Sequence, residues 1–205
     1  HVFGLTFKRR GFMTEEKKTN NFKEMLKGTF TAKRIALMAT FVALAFGISF
    51  LQFPIFPVAP FLQLDFSFAI MLIAAYLLGA LSGEIIVVMF TLLKLPFSGS
   101  AMVGELANFI MAQFFIVMPA VIYHFRRHFK TVVISLSAAT LIISAIALLT
   151  NRYMLFPLYM GDGAAATFAK TWWVIILFNI IKGVSNSVIT ILLYKRLRNL
   201  LNKFL

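Results

Sequence analysis

The chain of 205 residues contains no cysteine. That absence excludes a disulfide-stapled scaffold, thiolate zinc sites and cysteine nucleophiles. Acid is scarce: seven Asp and Glu stand against twenty Lys and Arg, a formal net charge of +13. Charged residues of both signs make up only 13% of the chain, about half the share of a soluble domain. No Gly-x-x-x-x-Gly-Lys-Ser/Thr loop is present, so ATP is not bound by that route. No His-Glu-x-x-His occurs. Of the three histidines, His124 and His128 have i,i+4 spacing but lie in an Arg-rich turn without a nearby carboxylate. They read as solvated rather than metal-binding.

What is present is apolar. Hydrophobic residues make up 60% of the chain and mean hydropathy is +0.89. An ordinary cytosolic globule and a disordered chain are excluded. The apolar runs are continuous rather than alternating, which favours an all-α polytopic membrane protein over a β-barrel. The basic residues gather in three clusters: Lys8 to Arg34, then Arg126, Arg127 and Lys130, then Lys195, Arg196, Arg198 and Lys203. Charge grouped at the ends of apolar runs follows the positive-inside rule and suits anionic lipid headgroups. It does not resemble a nucleic-acid footprint, so no nucleic-acid partner is expected.

Placing all three clusters in the cytoplasm requires an even number of crossings between Arg34 and Arg126. Breaks near 52–64, 79–83 and 96–101 make that number four. Pro54, Pro57 and Pro60 keep the first break out of any helix interior. Arg152 to Lys170, with Gly161, Asp162 and Gly163, reads as an external loop, and Trp172 and Trp173 open the last run at the interface. The expectation is a six-transmembrane-helix bundle with both termini cytoplasmic, multi-pass in the plasma membrane. Its helices are expected at 31–51, 65–79, 83–96, 101–125, 131–156 and 171–196. Helices two and three are short and expected to be kinked, tilted or incompletely spanning. Residues 1–30 form a polar basic segment, 31–197 the transmembrane substrate-binding domain and 198–205 a cytoplasmic tail. Met13 reads as a natural start, so residues 1–12 are read as foreign to the natural sequence, with an amphipathic leader as the alternative.

Polar residues inside these runs are the candidate site. Glu105 and Asn108 share one face of helix four, and Asn179, Lys182 and Asn186 share one face of helix six. Ionisable groups at membrane depth face a bundle interior or a water-filled cavity. Counting from the outer rim, Glu105 and Asn108 lie about 6 and 10 Å down, and Asn179 and Lys182 about 12 and 16 Å. All four fall in the outer half of a core of about 30 Å. The plainer alternative is a buried Glu105–Lys182 pair that ties the two helices together. Two accompanying amides favour a binding site, because Asn offers a donor and an acceptor side by side. Ser98-Gly99-Ser100 has no histidine on its side of the membrane, and no catalytic constellation emerges.

The chain has 24 Phe. Most read as lipid-facing, but Phe53, Phe56, Phe61 and Phe66 crowd the proline-rich external loop, which could cover a pocket for a flat ring. Near balance of acid and base in the outer half suits a neutral polar ligand. On helix one, Ala39, Ala43 and Gly47 recur every fourth position and would let another helix approach closely. Packing within the bundle and docking on a partner membrane protein are equally compatible with that stripe.

Leu64-Asp-Phe-Ser67, Gly104-Glu-Leu-Ala-Asn-Phe109, Phe178-Asn-Ile-Ile-Lys-Gly183 and Leu193-Tyr-Lys-Arg-Leu197 resemble the riboflavin-specific substrate-binding subunit, or S-component, of energy-coupling factor (ECF) transporters. The resemblance runs from about Ala32 to Leu197. It implies a six-helix bundle with an external vitamin pocket, a coupling subunit that meets the small-residue face of helix one, and two ABC ATPases. It implies no enzyme activity and no resident cofactor, with riboflavin as the transported ligand. By the resemblance Asn179, Lys182, Glu105 and Asn108 lie at the ligand and Ala39 and Ala43 at the coupling subunit; with Phe53 and Asn186 from the loop and helix-six pattern, and Gly47 from the helix-one stripe, they make up the expected substrate-binding and docking residues. Alternatives kept open are FMN or another vitamin on the same scaffold, a small-solute transporter outside this family, an intramembrane lipid enzyme using Glu84, and a scaffold protein.

Overall fold

The computed structural model describes residues 30–97, 102–126 and 128–201, with side chains through Tyr194. The expectations for the N-terminal segment, Ser98–Ala101, Arg127 and the last four residues lie outside the described residues. The described chain is almost entirely helical. Helix α1 is Ala32–Ser49, α2 Ser67–Leu78, α3 Ala80–Lys94, α4 Val103–Ala112, α5 Met118–Phe125, α6 Phe129–Thr150, α7 Phe156–Met160 and α8 Ala164–Leu201. One π-helical turn, Gln113–Val117, joins α4 to α5, and another, Asn151–Leu155, joins α6 to α7. Thr31 caps α1 by accepting a hydrogen bond from the Arg34 N–H.

Among the described residues, four helical runs are long and apolar enough to cross a membrane: Ala32–Ser49, Ala80–Phe97, Val103–Phe125 and Phe129–Tyr194. The last run is not one rod. Gly161 takes φ +51° between α7 and α8, and α8 returns along α6. The crossing point is Gly183, where a Cβ would lie 2.6 Å from the Thr140 side chain. Phe156 and Phe168 meet edge-to-face near the turn, 5.9 Å between centroids.

Helix α2 is the core of the bundle. Met71, Leu72, Ile73 and Ala74 are completely buried, and α1, α3 and α8 all pack on it. A helix buried all round needs no polar face, which is why its sequence is a plain apolar run. Its 12 residues span about 18 Å, well short of a hydrocarbon core of about 30 Å. A second cluster, including Leu62, Leu64, Phe156, Val174, Ile175 and Phe178, lies under the segment between α1 and α2. That segment is the proline-rich stretch. Strand β1 (Phe53–Pro54) pairs antiparallel with β2 (Gln63–Leu64), in register Phe53 with Leu64.

Helix boundaries depart from the expectation at the third and last helices. The third helix was expected at 83 but begins at Ala80, because Gly79 makes the turn alone at φ +101°. Gly83 then lies inside α3 and permits contact: a Cβ there would come within 2.5 Å of the Ala75 Cβ. The loop expected over Arg152–Lys170 is instead helical apart from the tight turn Gly161–Gly163. Pro157 sits in the first turn of α7, directly after the π-turn. Ala164, Ala165 and Ala166 open α8 with the strongest helix former. The last helix therefore starts earlier than 171 and runs past 198 to Leu201, where a tail was expected.

Candidate functional site

A cavity of about 510 Å³ opens between the β1–β2 hairpin, the end of α3, the first turns of α4, the π-turn after α6 and the middle of α8. Its size falls in the range of roughly 300–1,000 Å³ typical of small-molecule sites. Rings from several elements face it: Phe61 from the hairpin, Phe97 after α3, Phe156 and Tyr159 on α7, and Phe178 on α8. Phe61 meets Phe156 edge-to-face at 5.7 Å. The proline-rich segment contributes Phe61, Leu62 and Gln63 to the wall; of the four aromatic residues expected there, Phe53, Phe56 and Phe66 do not line it.

Four of the expected site residues, Glu105, Asn108, Asn179 and Lys182, line this cavity together. Two do not. Phe53 is 48% exposed on β1 and takes no part in the wall. Asn186 is fully buried one turn deeper on α8, where it works as a clasp. Its Nδ2 donates to the Lys182 carbonyl at 2.9 Å and the Asp65 carbonyl at 3.2 Å, and its Oδ1 accepts from the Ala69 N–H at 2.8 Å. With both ends of the amide engaged, Asn186 ties α8 to the start of α2.

The partner of Lys182 is Asp65, not Glu105. The Lys182 Nζ lies 3.4 Å from Asp65 Oδ2, donates to Asn108 Oδ1 at 3.3 Å and stands 4.5 Å over the Phe68 ring. Asp65 is held in turn by the Ser67 N–H at 2.9 Å and by the Ser67 hydroxyl. An ion pair taken out of water survives only when its remaining lone pairs and protons are also engaged. Here that engagement joins the hairpin stem, α4 and α8 at the cavity floor.

The amides face the cavity differently. Asn179 donates through Nδ2 to the Ile175 carbonyl at 2.8 Å, four residues back in its own helix. That bond identifies the nitrogen, and Oδ1 is buried without a hydrogen bond within the protein. Asn151 repeats the arrangement at the π-turn, with Nδ2 donating to the Ala147 carbonyl at 2.7 Å and Oδ1 again unpaired. A buried carbonyl oxygen without a donor costs about 1–3 kcal/mol. Two such acceptors in one wall suit a solute that carries N–H or O–H groups.

Asn151, Asp65 and Lys94 are among the polar wall residues that sequence reasoning left out of the site. Lys94 is buried at the end of α3 and donates to the Ser49 carbonyl at 3.3 Å and to Gln52 Oε1 at 3.2 Å. Asn151 follows an apolar run directly and falls near the end of the helix expected at 131–156. It is the first residue of the π-turn and lines the cavity from there. The cavity thus holds two lysines, Lys94 and Lys182, and two acids, Asp65 and Glu105. That balance suits a ligand without net charge.

The helix-one stripe faces outward. Ala39, Ala43 and Gly47 are exposed on α1, and a Cβ at Gly47 would meet nothing within 4 Å. Packing within this bundle is therefore not what the stripe does. Glu84, the acid considered for lipid chemistry, accepts a hydrogen bond from Gln113 Nε2 at 3.3 Å. No metal-binding group of His, Asp and Glu is present among the described residues.

Comparison with known proteins bears directly on this arrangement. The family model for the substrate-specific component of ECF transporters matches residues 33–194. The chain belongs to that family. As an S-component it is a transporter subunit and not an enzyme, which also sets aside a transporter outside the family. It is 35% identical to the riboflavin transporter RibU of Staphylococcus aureus, over 83% of this chain and 93% of that protein. It is 28% identical to the riboflavin transporter FmnP of Bacillus subtilis, over 81% of this chain and 92% of that one. A solved structure described as the S component of a bacterial ECF transporter superposes with a TM-score of 0.72 at 35% identity, covering 82% of this chain and 97% of the other.

Proposed function

We propose that this S-component captures riboflavin from outside the cell and holds it in the cavity under the β1–β2 hairpin. The observation that carries the reading is the wall itself: two committed amide acceptors, Asn151 and Asn179, stand beside Lys182 and Asn108 and among five aromatic rings. The isoalloxazine of riboflavin is flat, apolar on both faces and edged by an imide with one N–H and two carbonyls. Rings such as Phe61, Phe156 and Phe178 suit its faces. An amide oxygen suits the imide N–H, and a lysine ammonium suits a carbonyl or a ribityl hydroxyl. The balanced charge of the wall favours neutral riboflavin over its phosphate ester. The names of the two curated relatives support the same ligand.

The chain crosses the cell membrane six times in this reading, with both termini in the cytoplasm. The hairpin formed by α6 and α8 supplies two of the crossings, and the basic clusters lie on the inner side. Binding alone performs no work, so release inward requires an ECF coupling subunit and two ABC ATPases. The outward face of Ala39, Ala43 and Gly47 is the proposed docking surface, since small residues let helices pack closely in lipid.

The test is spectroscopic. Detergent-purified protein is expected to carry flavin absorption, or to quench added riboflavin fluorescence with a dissociation constant in the nanomolar range. Colourless protein that leaves riboflavin fluorescence unchanged would refute the reading. Preferential quenching of FMN would reassign the ligand.

A further inference from the structure

The hairpin that covers the cavity is anchored at both stems by a lysine that also lines the cavity. On the trailing side, Asp65 follows β2 directly and pairs with Lys182. On the leading side, Lys94 reaches from the end of α3 to the Ser49 carbonyl and the Gln52 side chain, immediately before β1. Ser49 is the last residue of α1, and its carbonyl lacks an intrahelical partner. Lys94 therefore caps α1 from a different helix and grips the first residue of the cover in the same contact.

The two anchors differ in kind. Asp65 is buried, its carboxylate is also held by Ser67, and its backbone carbonyl is held by Asn186. Gln52 is exposed and offers Lys94 a neutral acceptor. A bond between a cation and a neutral acceptor at the rim breaks more readily than a buried ion pair with three supporting bonds. Resting on the riboflavin-binding reading, we infer that Lys94 is a positioning residue. It fastens the leading stem of the cover, which opens at Gln52 and pivots at Asp65, and so sets how long the ligand is retained.

Stopped-flow riboflavin fluorescence on the purified full chain tests this by separating association from dissociation. Lys94→Met is expected to speed dissociation about tenfold or more, with association slowed by less than about threefold. Lys94→Arg keeps the cation and both acceptors and is expected to stay within about threefold of the parent. Gln52→Ala, at an exposed site that does not endanger folding, is expected to speed dissociation as well. Lys94→Met added to Gln52→Ala should then accelerate it less than Lys94→Met does alone. Full additivity of the two changes, or an unchanged dissociation rate in Gln52→Ala, overturns the inference. Failure of the parent protein to bind riboflavin refutes the ligand assignment instead, and the two failures are distinct.

Discussion

Asn179 and Lys182 sit three residues apart on α8, yet their surroundings predict different consequences of losing them. The buried side-chain oxygen of Asn179 has no hydrogen-bond partner inside the protein. Asn179→Ala is expected to weaken riboflavin binding about tenfold or more while changing stability by less than about 1 kcal/mol. Lys182 neutralises Asp65 in a buried setting. Lys182→Ala should abolish tight binding and also destabilise the ligand-free protein by about 3–5 kcal/mol, because it strands a buried carboxylate. Restoring melting temperature with Asp65→Asn in the Lys182→Ala background, without restoring binding, would separate the two roles. Asn186→Ala should behave as a structural change, since it removes the amide that accepts from the Ala69 N–H and donates to the Asp65 carbonyl. Fluorescence titration and thermal unfolding in detergent give both readings on the same samples. The face shared by Asn179, Lys182 and Asn186 was legible from their spacing. The turn-by-turn division of that face into cavity wall and clasp was not, because helical periodicity reports direction and not what lies opposite.

Among the elements, helices α2 and α3 show how a glycine decides a boundary. Gly79 turns the chain and Gly83 lets the two helices touch. Gly83→Val is expected to cost at least about 1–3 kcal/mol, since its Cβ would overlap Ala75, whose backbone cannot yield cheaply. The α6–α8 crossing is built alike at Gly183 and Thr140. Gly183→Ala should lower the melting temperature, and Thr140→Ala in that background should recover part of the loss by removing the two nearest atoms. No recovery would mean that α8 is displaced by another contact. The helical content of Arg152–Lys170 escaped sequence reading for a related reason. Two glycines around an aspartate signal a loop, but a single 3₁₀ turn satisfied them, and the alanines that follow restarted the helix at once.

For the whole molecule, the outward stripe on α1 makes a clear prediction. Ala39→Trp or Ala43→Trp should leave riboflavin titrations within about twofold of the parent, because both positions are exposed and away from the cavity. The same variants should fail to co-purify with an ECF coupling subunit and its ATPases, since an indole forbids close helix approach. Co-purification at the parental level would remove α1 from the docking surface.

Composition, the spacing of apolar runs and the placement of basic clusters already required a helical bundle in a membrane. Local pattern suffices for that, because lipid forces each segment to satisfy its own backbone. The same sequence marked Glu105, Asn108, Asn179 and Lys182 as polar groups needing company. Which company they keep was a tertiary matter. Asp65 meets Lys182 where Asn186 binds the hairpin stem to α8, and Asn151 joins the wall from the π-turn that links α6 to α7. Long-range pairing depends on where folded elements end in space, and no window of neighbouring residues contains that information.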